Sequence, residues 1–398
     1  MRKLIIIPNC GAIGGVTVSL SQIIQGFQQL GLSEQLCVLV IAGSEMEKYL
    51  QQARQSACIT SLSVQSREEF CRRALRWATK QPRNWPLLLE NWTASATLSA
   101  IFMITPILRL SGRTVYHTFH DPACSTHWYG TIARKFIYTC LSPVAICNSQ
   151  FTARNVCPRL LSEVKNILYQ PVAIDKQQRR FLGEPPEPLK PILRDGASIM
   201  LTPSRISQPE QFNDKNLRGL IPVLAELKAS GHHYHSVVIG RDYSANGIQT
   251  QRLLEQASHF GVADRFTVLP PTFSIQDYYN YADVVVTLAP REPFGRTVIE
   301  AIASGVPVIG SQTGGIGEIL NHFAPQWTVA PDDPVATAAA IVQLKNDPIT
   351  STLLAQGQRW VEEQCNPVQY ARRLIEITEL NGIKYDPNQS ESKEIVSV

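Results

Sequence analysis

The sequence predicts an α/β chain built from two parallel-sheet domains, and three observations carry that prediction. Short apolar runs alternate with helical patterns from end to end, as parallel strands covered by helices require. A chain of 398 residues with 44% hydrophobic content fills two cores of ordinary domain size. Residues 176–196, KQQRRFLGEPPEPLKPILRDG, combine charge with four prolines and no periodicity. They read as the linker between a first domain at 1–175 and a second at 197–365.

In the first domain the strands read LIIIP, QLCVLVI, PLLLE, TVYHTF, PVAICN and VKNILY. The opening MRKLIIIPNC is basic, but its apolar run stops at Pro8, too short for a signal sequence, so it is a first strand. The second domain reads SIMLTPS, SVVIG, FTVLP, DVVVTLA, VPVIG and a short strand near WTVA, each followed by a helix. Helical patterns over 335–381 close the chain, and the polar residues 382–398 are expected to be a flexible tail. The longest apolar segment, Leu98 to Leu110, contains Ser99, Thr105, Pro106 and Arg109 and falls short of a membrane span.

Nine cysteines lack C-x-x-C pairs and zinc spacing, so they are expected to be reduced and mostly buried. The net charge of +4 hides an asymmetry. Residues 1–190 hold 21 Lys+Arg and 11 Asp+Glu, a balance of +10, while residues 191–398 hold 16 and 22, a balance of −6. The first half is therefore the one expected to meet anions. Nucleic-acid binding is disfavoured, because no recognised module or aromatic platform accompanies the basic half.

The most specific chemistry lies at residues 292–301, EPFGRTVIEA. Pro293 and Gly295 break the preceding strand, and Ile299, Ile302 and Ala303 give the buried face of a short helix opening at about Gly295 and ending at Ser304-Gly305. The free N–H groups and positive end of such a helix suit a diphosphate, and Gly295 lets a ligand approach the backbone. At about 1.5 Å per residue, Glu300 lies about 7.5 Å further along, within reach of an attached ribose. Glu292 faces the other end. Carboxylates accept hydrogen bonds from vicinal hydroxyls, so the pair forms a mould for a sugar nucleotide.

With the G-x-P-V-I strand that follows and the turn at Gly314, Gly315 and Glu318, this stretch resembles the E-x7-E region of retaining glycosyltransferases of the GT-B fold, glycosyltransferase family 4. The resemblance covers nearly the whole chain and is strongest at residues 283–320. It implies two Rossmann-like domains facing across a cleft, an N-terminal acceptor domain and a C-terminal nucleotide-sugar donor domain, with a C-terminal helix at 366–381 crossing back. The implied reaction transfers a hexose to an acceptor hydroxyl with retention and without a metal or other cofactor, and no D-x-D metal motif appears at a strand end. Asp332-Asp333 reads as a helix cap.

Further constellations take roles from the same resemblance. Gly14 and Gly15, closing the turn Gly11-Ala12-Ile13-Gly14-Gly15, leave room for the donor, although a tight strand-to-helix turn explains them as well. Within Tyr116-His117-Thr118-Phe119-His120-Asp121, His120 is the expected sugar contact, Asp121 orients it or receives the acceptor, and His117 reads as a packed core histidine. Arg205 and Lys215 would face the leaving diphosphate. Nine residues separate them where the family usually has four or five, so Lys215 also reads as a surface lysine. The base would lie against residues 271–274, including Thr272. Phe294, Gly295, Arg296 and Thr297 complete the donor set. Asn148-Ser149 matches the family's strand end, or a helix N-cap.

The expected partners are a sugar nucleotide and a glycan or lipid-linked acceptor, in a cytoplasmic protein. Residues 67–83 place Phe70, Ala74 and Trp77 on one face among Arg72, Arg73, Arg76 and Lys80, so this helix either contacts an anionic membrane or packs on its own domain. Rival functions are a GT-B sugar-nucleotide epimerase or hydrolase, and a non-catalytic sugar-nucleotide-binding protein.

Overall fold

The computed structural model describes residues 1–9, 14–124, 127–173, 183–208, 214–272 and 274–382. The expected tail from 383 onward and the turn residues 10–13 lie outside that set. The chain divides into two compact units, residues 1–171 with 364 onward, and residues 172–363.

In the first unit, strands and helices alternate: β1 (Leu4–Pro8), α1 (Gly15–Gln29), β2 (Leu36–Ile41), α2 (Glu45–Gln52), β3 (Ile59–Leu62), α3 (Arg67–Thr79), β4 (Leu87–Glu90), α4 (Ser95–Leu110), β5 (Val115–Phe119), α5 (Trp128–Leu141), β6 (Val144–Cys147), α6 (Gln150–Val156) and β7 (Asn166–Ile167). The sheet runs β3-β2-β1-β4-β5-β6-β7 with parallel pairing. Alternate residues of a strand face opposite sides, so Leu4 and Ile6 enter one core and Ile5 and Ile7 the other. Strand β3 was not expected. Its sequence ITSL is short and half polar, which an edge strand tolerates and a buried strand does not.

Helix α3 begins at a cap, with Ser66 Oγ accepting from Glu69 N at 3.1 Å. Its apolar face, Phe70, Cys71, Ala74, Leu75 and Ala78, is buried in the core. Of the two expectations for residues 67–83, the apolar face therefore follows the second and packs on its own domain, while Arg72, Arg73, Arg76 and Lys80 are exposed. The last helix, α15 (Pro367–Ile377), belongs to the first unit and packs on α1. The approach is close: a Cβ at Gly26 would sit 2.1 Å from the Pro367 carbonyl oxygen.

The second unit contains α7 (Lys190–Arg194), β8 (Ser198–Pro203), α8 (Leu220–Ala229), β9 (Tyr234–Ile239), α9 (Ile248–His259), β10 (Phe266–Leu269), α10 (Ile275–Tyr279), β11 (Val284–Thr287), α11 (Arg296–Ala303), β12 (Val308–Ser311), α12 (Gly314–Leu320), β13 (Thr328–Val329), α13 (Pro334–Asn346) and α14 (Thr350–Gln364). Its sheet is parallel, in the order β10-β9-β8-β11-β12-β13. Helix α7 and the turn Glu187–Leu189 occupy part of the stretch read as an aperiodic linker. Pro188 and Pro191 stand in the first turns of these elements, where a missing N–H costs nothing. Both sheets reverse direction of strand order at one place, between β1 and β4 and between β8 and β11. Open parallel sheets bind ligands at the carboxyl ends of such strands.

Candidate active site

In the second unit the chain leaves β11 and turns through Pro290 and Pro293 into α11. Gly295 caps this helix with φ 100°, a left-handed conformation that side-chain-bearing residues avoid. The turn at Gly314 and Gly315 seats the loop from beneath. Gly315 N donates to Glu292 O at 2.7 Å, and a Cβ at Gly315 would lie 2.4 Å from Phe294 O. The second glycine is therefore demanded by packing against the loop. Phe294 itself is 3% exposed, so its ring anchors the loop in the core and leaves only backbone to meet a ligand.

The structure brings Lys215 to Glu292, where the two side chains form an ion pair, each about one-fifth exposed. The wide spacing from Arg205 does not keep Lys215 away from the loop, although residues 209–213 between them lie outside the described set. Asp214 is buried and holds the neighbouring backbone, accepting from Asn216 N at 2.9 Å and Arg218 at 2.7 Å. Arg205 is exposed just beyond the carboxyl end of β8. Thr297 donates its hydroxyl to Pro203 O at 3.2 Å, tying the first turn of α11 to that same strand end.

Glu300 is held from two sides. Arg296 Nε lies 2.7 Å from Oε1, and the Tyr279 hydroxyl donates to Oε2 at 3.3 Å. Burial raises the Tyr279 phenol well above its ordinary range, so the hydroxyl keeps its proton as a donor. The first turn of α11 holds no acidic residue, so the positive end of the helix is not neutralised by its own side chains. Thr272 accepts from Ser274 N at 3.1 Å in the loop after β10, and Phe273 between them lies outside the described set.

In the first unit, His120 sits in the bend after β5. Asn91 Oδ1 accepts from its backbone N–H at 3.1 Å, and Asn148 Nδ2 donates to its carbonyl at 3.2 Å. The His120 ring is clasped between two side chains. Nδ1 meets the amide of Gln170, and Nε2 lies 3.5 Å from Oε1 of Glu90, the last residue of β4. Glu90 is 2% exposed, its Oε2 has no hydrogen-bond partner, and burial pushes its carboxyl up to about 8. At neutral pH the acid is mostly protonated, so the pocket beside the imidazole holds a neutral carboxyl.

Asp121 follows His120 in the same bend. Its oxygens accept from Asn91 Nδ2 at 3.0 Å and Ala123 N at 2.7 Å, so it steadies the asparagine that holds the His120 backbone. His117 is wholly buried, accepts from Trp92 N at 3.1 Å, and packs on Phe119 and Tyr138. Burial lowers its pKa to about 3, so it is a neutral core histidine.

Gly15 opens α1, and Gly14 caps that helix in extended backbone, where an added Cβ would meet nothing within 4 Å among the described residues. Those residues do not require a glycine at 14. Ser149 caps α6 through Thr152 N at 2.9 Å, and Asp333 caps α13 through Ala336 N at 2.9 Å. Among the described residues, no group of three or more His, Cys, Asp or Glu side chains is placed to hold a metal.

Glu90, Asn91, Gln170 and Tyr279 were missed from sequence. Only Glu90 left a signal, as the one acid ending the apolar run PLLLE. Tyr279 meets Glu300 across two helices that no sequence spacing relates.

Residues 193–381 match the family of glycosyl transferases group 1. Similar curated proteins include the D-inositol 3-phosphate glycosyltransferase of Thermobispora bispora, 30% identical over 45% of this chain and 40% of that protein. The enzyme of the same name from Geodermatophilus obscurus is 28% identical over 49% of this chain and 44% of its own. The match thus spans less than half the length of these relatives. Among solved structures, Anabaena HepE in complex with UDP and glucose covers 96% of this chain and 100% of its own, with a TM-score of 0.76 at 16% identity. Sucrose-phosphate synthase from Thermosynechococcus elongatus covers 96% and 99%, with a TM-score of 0.69 at 17% identity. At such identity these likenesses concern the fold. Residues 193–381 are thus similar to the glycosyl transferases group 1 family, within a chain whose two-sheet α/β fold is that of the GT-B structures it resembles.

Proposed function

We propose that the chain is a retaining glycosyltransferase that moves a hexose from a nucleotide diphosphate sugar to a hydroxyl of a glycan or lipid-linked acceptor, with no metal taking part. One observation carries the reading: Lys215 and Glu292 meet at the loop that opens α11, at the carboxyl edge of the second sheet and inside the matched region. The diphosphate is assigned to the first-turn amides at Gly295, Arg296 and Thr297, with Arg205 and Lys215 compensating its growing charge as the bond to the sugar breaks. Glu300, preset by Arg296 and Tyr279, is assigned the ribose hydroxyls. Thr272 is assigned to the base. Glu292 and the backbone of Phe294 are assigned the sugar, with Gly14 and Gly15 leaving space and His120 offering a hydrogen bond to a sugar hydroxyl.

In this reading the acceptor attacks from the face the diphosphate leaves, and a donor phosphate oxygen takes the acceptor proton. UDP-sugars are the first donors to test, because HepE, of the same fold, is solved with UDP and with UDP-glucose. The test follows UDP release from UDP-glucose with and without a panel of sugar, inositol phosphate and lipid-linked acceptors, in chelator. Acceptor-dependent release and a product of unchanged anomeric configuration support the proposal. Release of free sugar without acceptor makes the chain a hydrolase, and tight UDP binding with no release makes it a binding protein.

A further inference from the structure

The first unit carries an apolar surface that its own core does not use. On α4, Phe102, Met103, Ile107 and Leu110 follow a helical stripe and point outward, Leu110 at 87% exposure. On α5, Trp128, Tyr129, Ile132 and Phe136 do the same, Trp128 at 76%. The two helices pack side by side, and the Phe102 and Phe136 rings stand 6.1 Å apart, so the stripes join into one patch. Of the sixteen large apolar side chains exposed among the described residues, eight stand on these two helices. Single exposed apolar residues need no partner, whereas a contiguous patch of this kind marks a docking face.

The charge around the patch selects what docks there. Neither α4 nor α5 contains an acidic residue, while Arg109, Arg134 and Lys135 lie on them. From residue 91 to residue 162 the chain holds six Lys+Arg against one acid, Asp121. In the same layer α3 packs on α4 and exposes Arg72, Arg73, Arg76 and Lys80. A second copy of this face would set cation against cation with no acid on either helix to pair them. An anionic bilayer fits both components: acyl chains take the apolar stripe, Trp128 and Tyr129 suit the headgroup level, and the cations meet lipid phosphates. Among the described residues no helix is long and apolar enough to cross a membrane, so the contact is an interfacial one.

We infer that the α4–α5 face docks the protein on an anionic lipid surface. The inference stands apart from the proposed reaction and is tested without it. The full chain is sedimented with vesicles of phosphatidylglycerol and phosphatidylcholine, and with phosphatidylcholine vesicles alone. Binding is expected on the anionic vesicles, about tenfold weaker on the neutral ones, and weakened by salt. The double variant Phe102→Ser/Phe136→Ser loses about tenfold in vesicle affinity. Lys135→Glu is the second variant, with thermal melting as the control for folding, and it weakens binding to anionic vesicles alone. No binding to anionic vesicles, or equal binding by folded variants, overturns the inference. So does light scattering that shows a dimer which Phe102→Ser/Phe136→Ser dissociates, since a second copy then covers the face.

Discussion

Lys215 and Glu292 form an ion pair although 77 positions separate them, and each is about one-fifth exposed. The pair holds a cation beside the loop that leads into α11 before any ligand arrives. A partly exposed pair of this kind adds about 1 kcal/mol or less to stability. Its worth is expected to be in turnover. Lys215→Ala should melt close to the parent and lower kcat about a hundredfold, the scale of losing one charge-stabilising donor, while Lys215→Arg recovers part of the loss. Steady-state kinetics with a UDP-sugar, read beside thermal melts, check both statements, and an unchanged kcat in Lys215→Ala removes the lysine from the reaction.

Glu300 should act on donor binding. Replacing it with Ala removes the carboxylate that Arg296 and Tyr279 preset, and UDP affinity is expected to fall at least about tenfold by calorimetry, about 1.4 kcal/mol. Tyr279→Phe deletes one hydrogen bond to the same acid and should cost about threefold, in line with about 0.5–1 kcal/mol for such a bond. Equal UDP affinity in Glu300→Ala takes the ribose away from this residue.

Glu90 makes stability depend on pH. Its folded pKa of about 8 lies above the ordinary 4.5, so the folded chain holds the proton more tightly than the unfolded one. Its contribution is whole below about pH 4.5 and is lost as pH rises to about 8, at up to about 1.4 kcal/mol per pH unit. Glu90→Gln keeps a hydrogen-bonding group near His120 without the titration. Urea midpoints taken from about pH 5 to about pH 8 should fall for the parent and stay flatter for Glu90→Gln. Parallel slopes for the two proteins refute the assignment.

Two glycines separate folding from binding. Gly315→Ala drives a Cβ into Phe294 O and should destabilise the second unit by about 1–3 kcal/mol. Gly14→Ala meets nothing within 4 Å among the described residues, in extended backbone, and should melt within about 0.5 kcal/mol of the parent. A raised KM for the donor in Gly14→Ala, at unchanged melting, then reports a ligand near residue 14.

The parallel strands were legible because residues such as Ile5, Ile6 and Ile7 are buried on both faces, leaving an unbroken apolar run. The edge strand β3 was not, because Thr60 and Ser61 need no second layer. The α11 junction was legible through Pro293, Gly295 and the Ile299–Ile302 spacing, all local signals. What held its carboxylate was not, since Tyr279 comes from another helix. In α3 an apolar stripe runs among arginines, and that pattern is the same whether the stripe meets a core or a bilayer. In α4 the reverse holds: a nearly continuous apolar run conceals which side chains face outward, and only packing on α3 and α5 separates Ile101 and Leu108 from Phe102 and Leu110.

The seating of α15 on α1 has a consequence for how the protein is made. Tyr370, Ala371, Leu374 and Ile375 share a core with Leu4, Ile6 and Phe27, so the earliest and latest stretches complete one another. On the ribosome, the groove on α1 stays uncovered while residues 172–363 are synthesised and can already fold as their own unit. Translation halted short of residue 367 leaves that groove open, and such products are expected to be captured by chaperones or to aggregate, even with the whole second unit present.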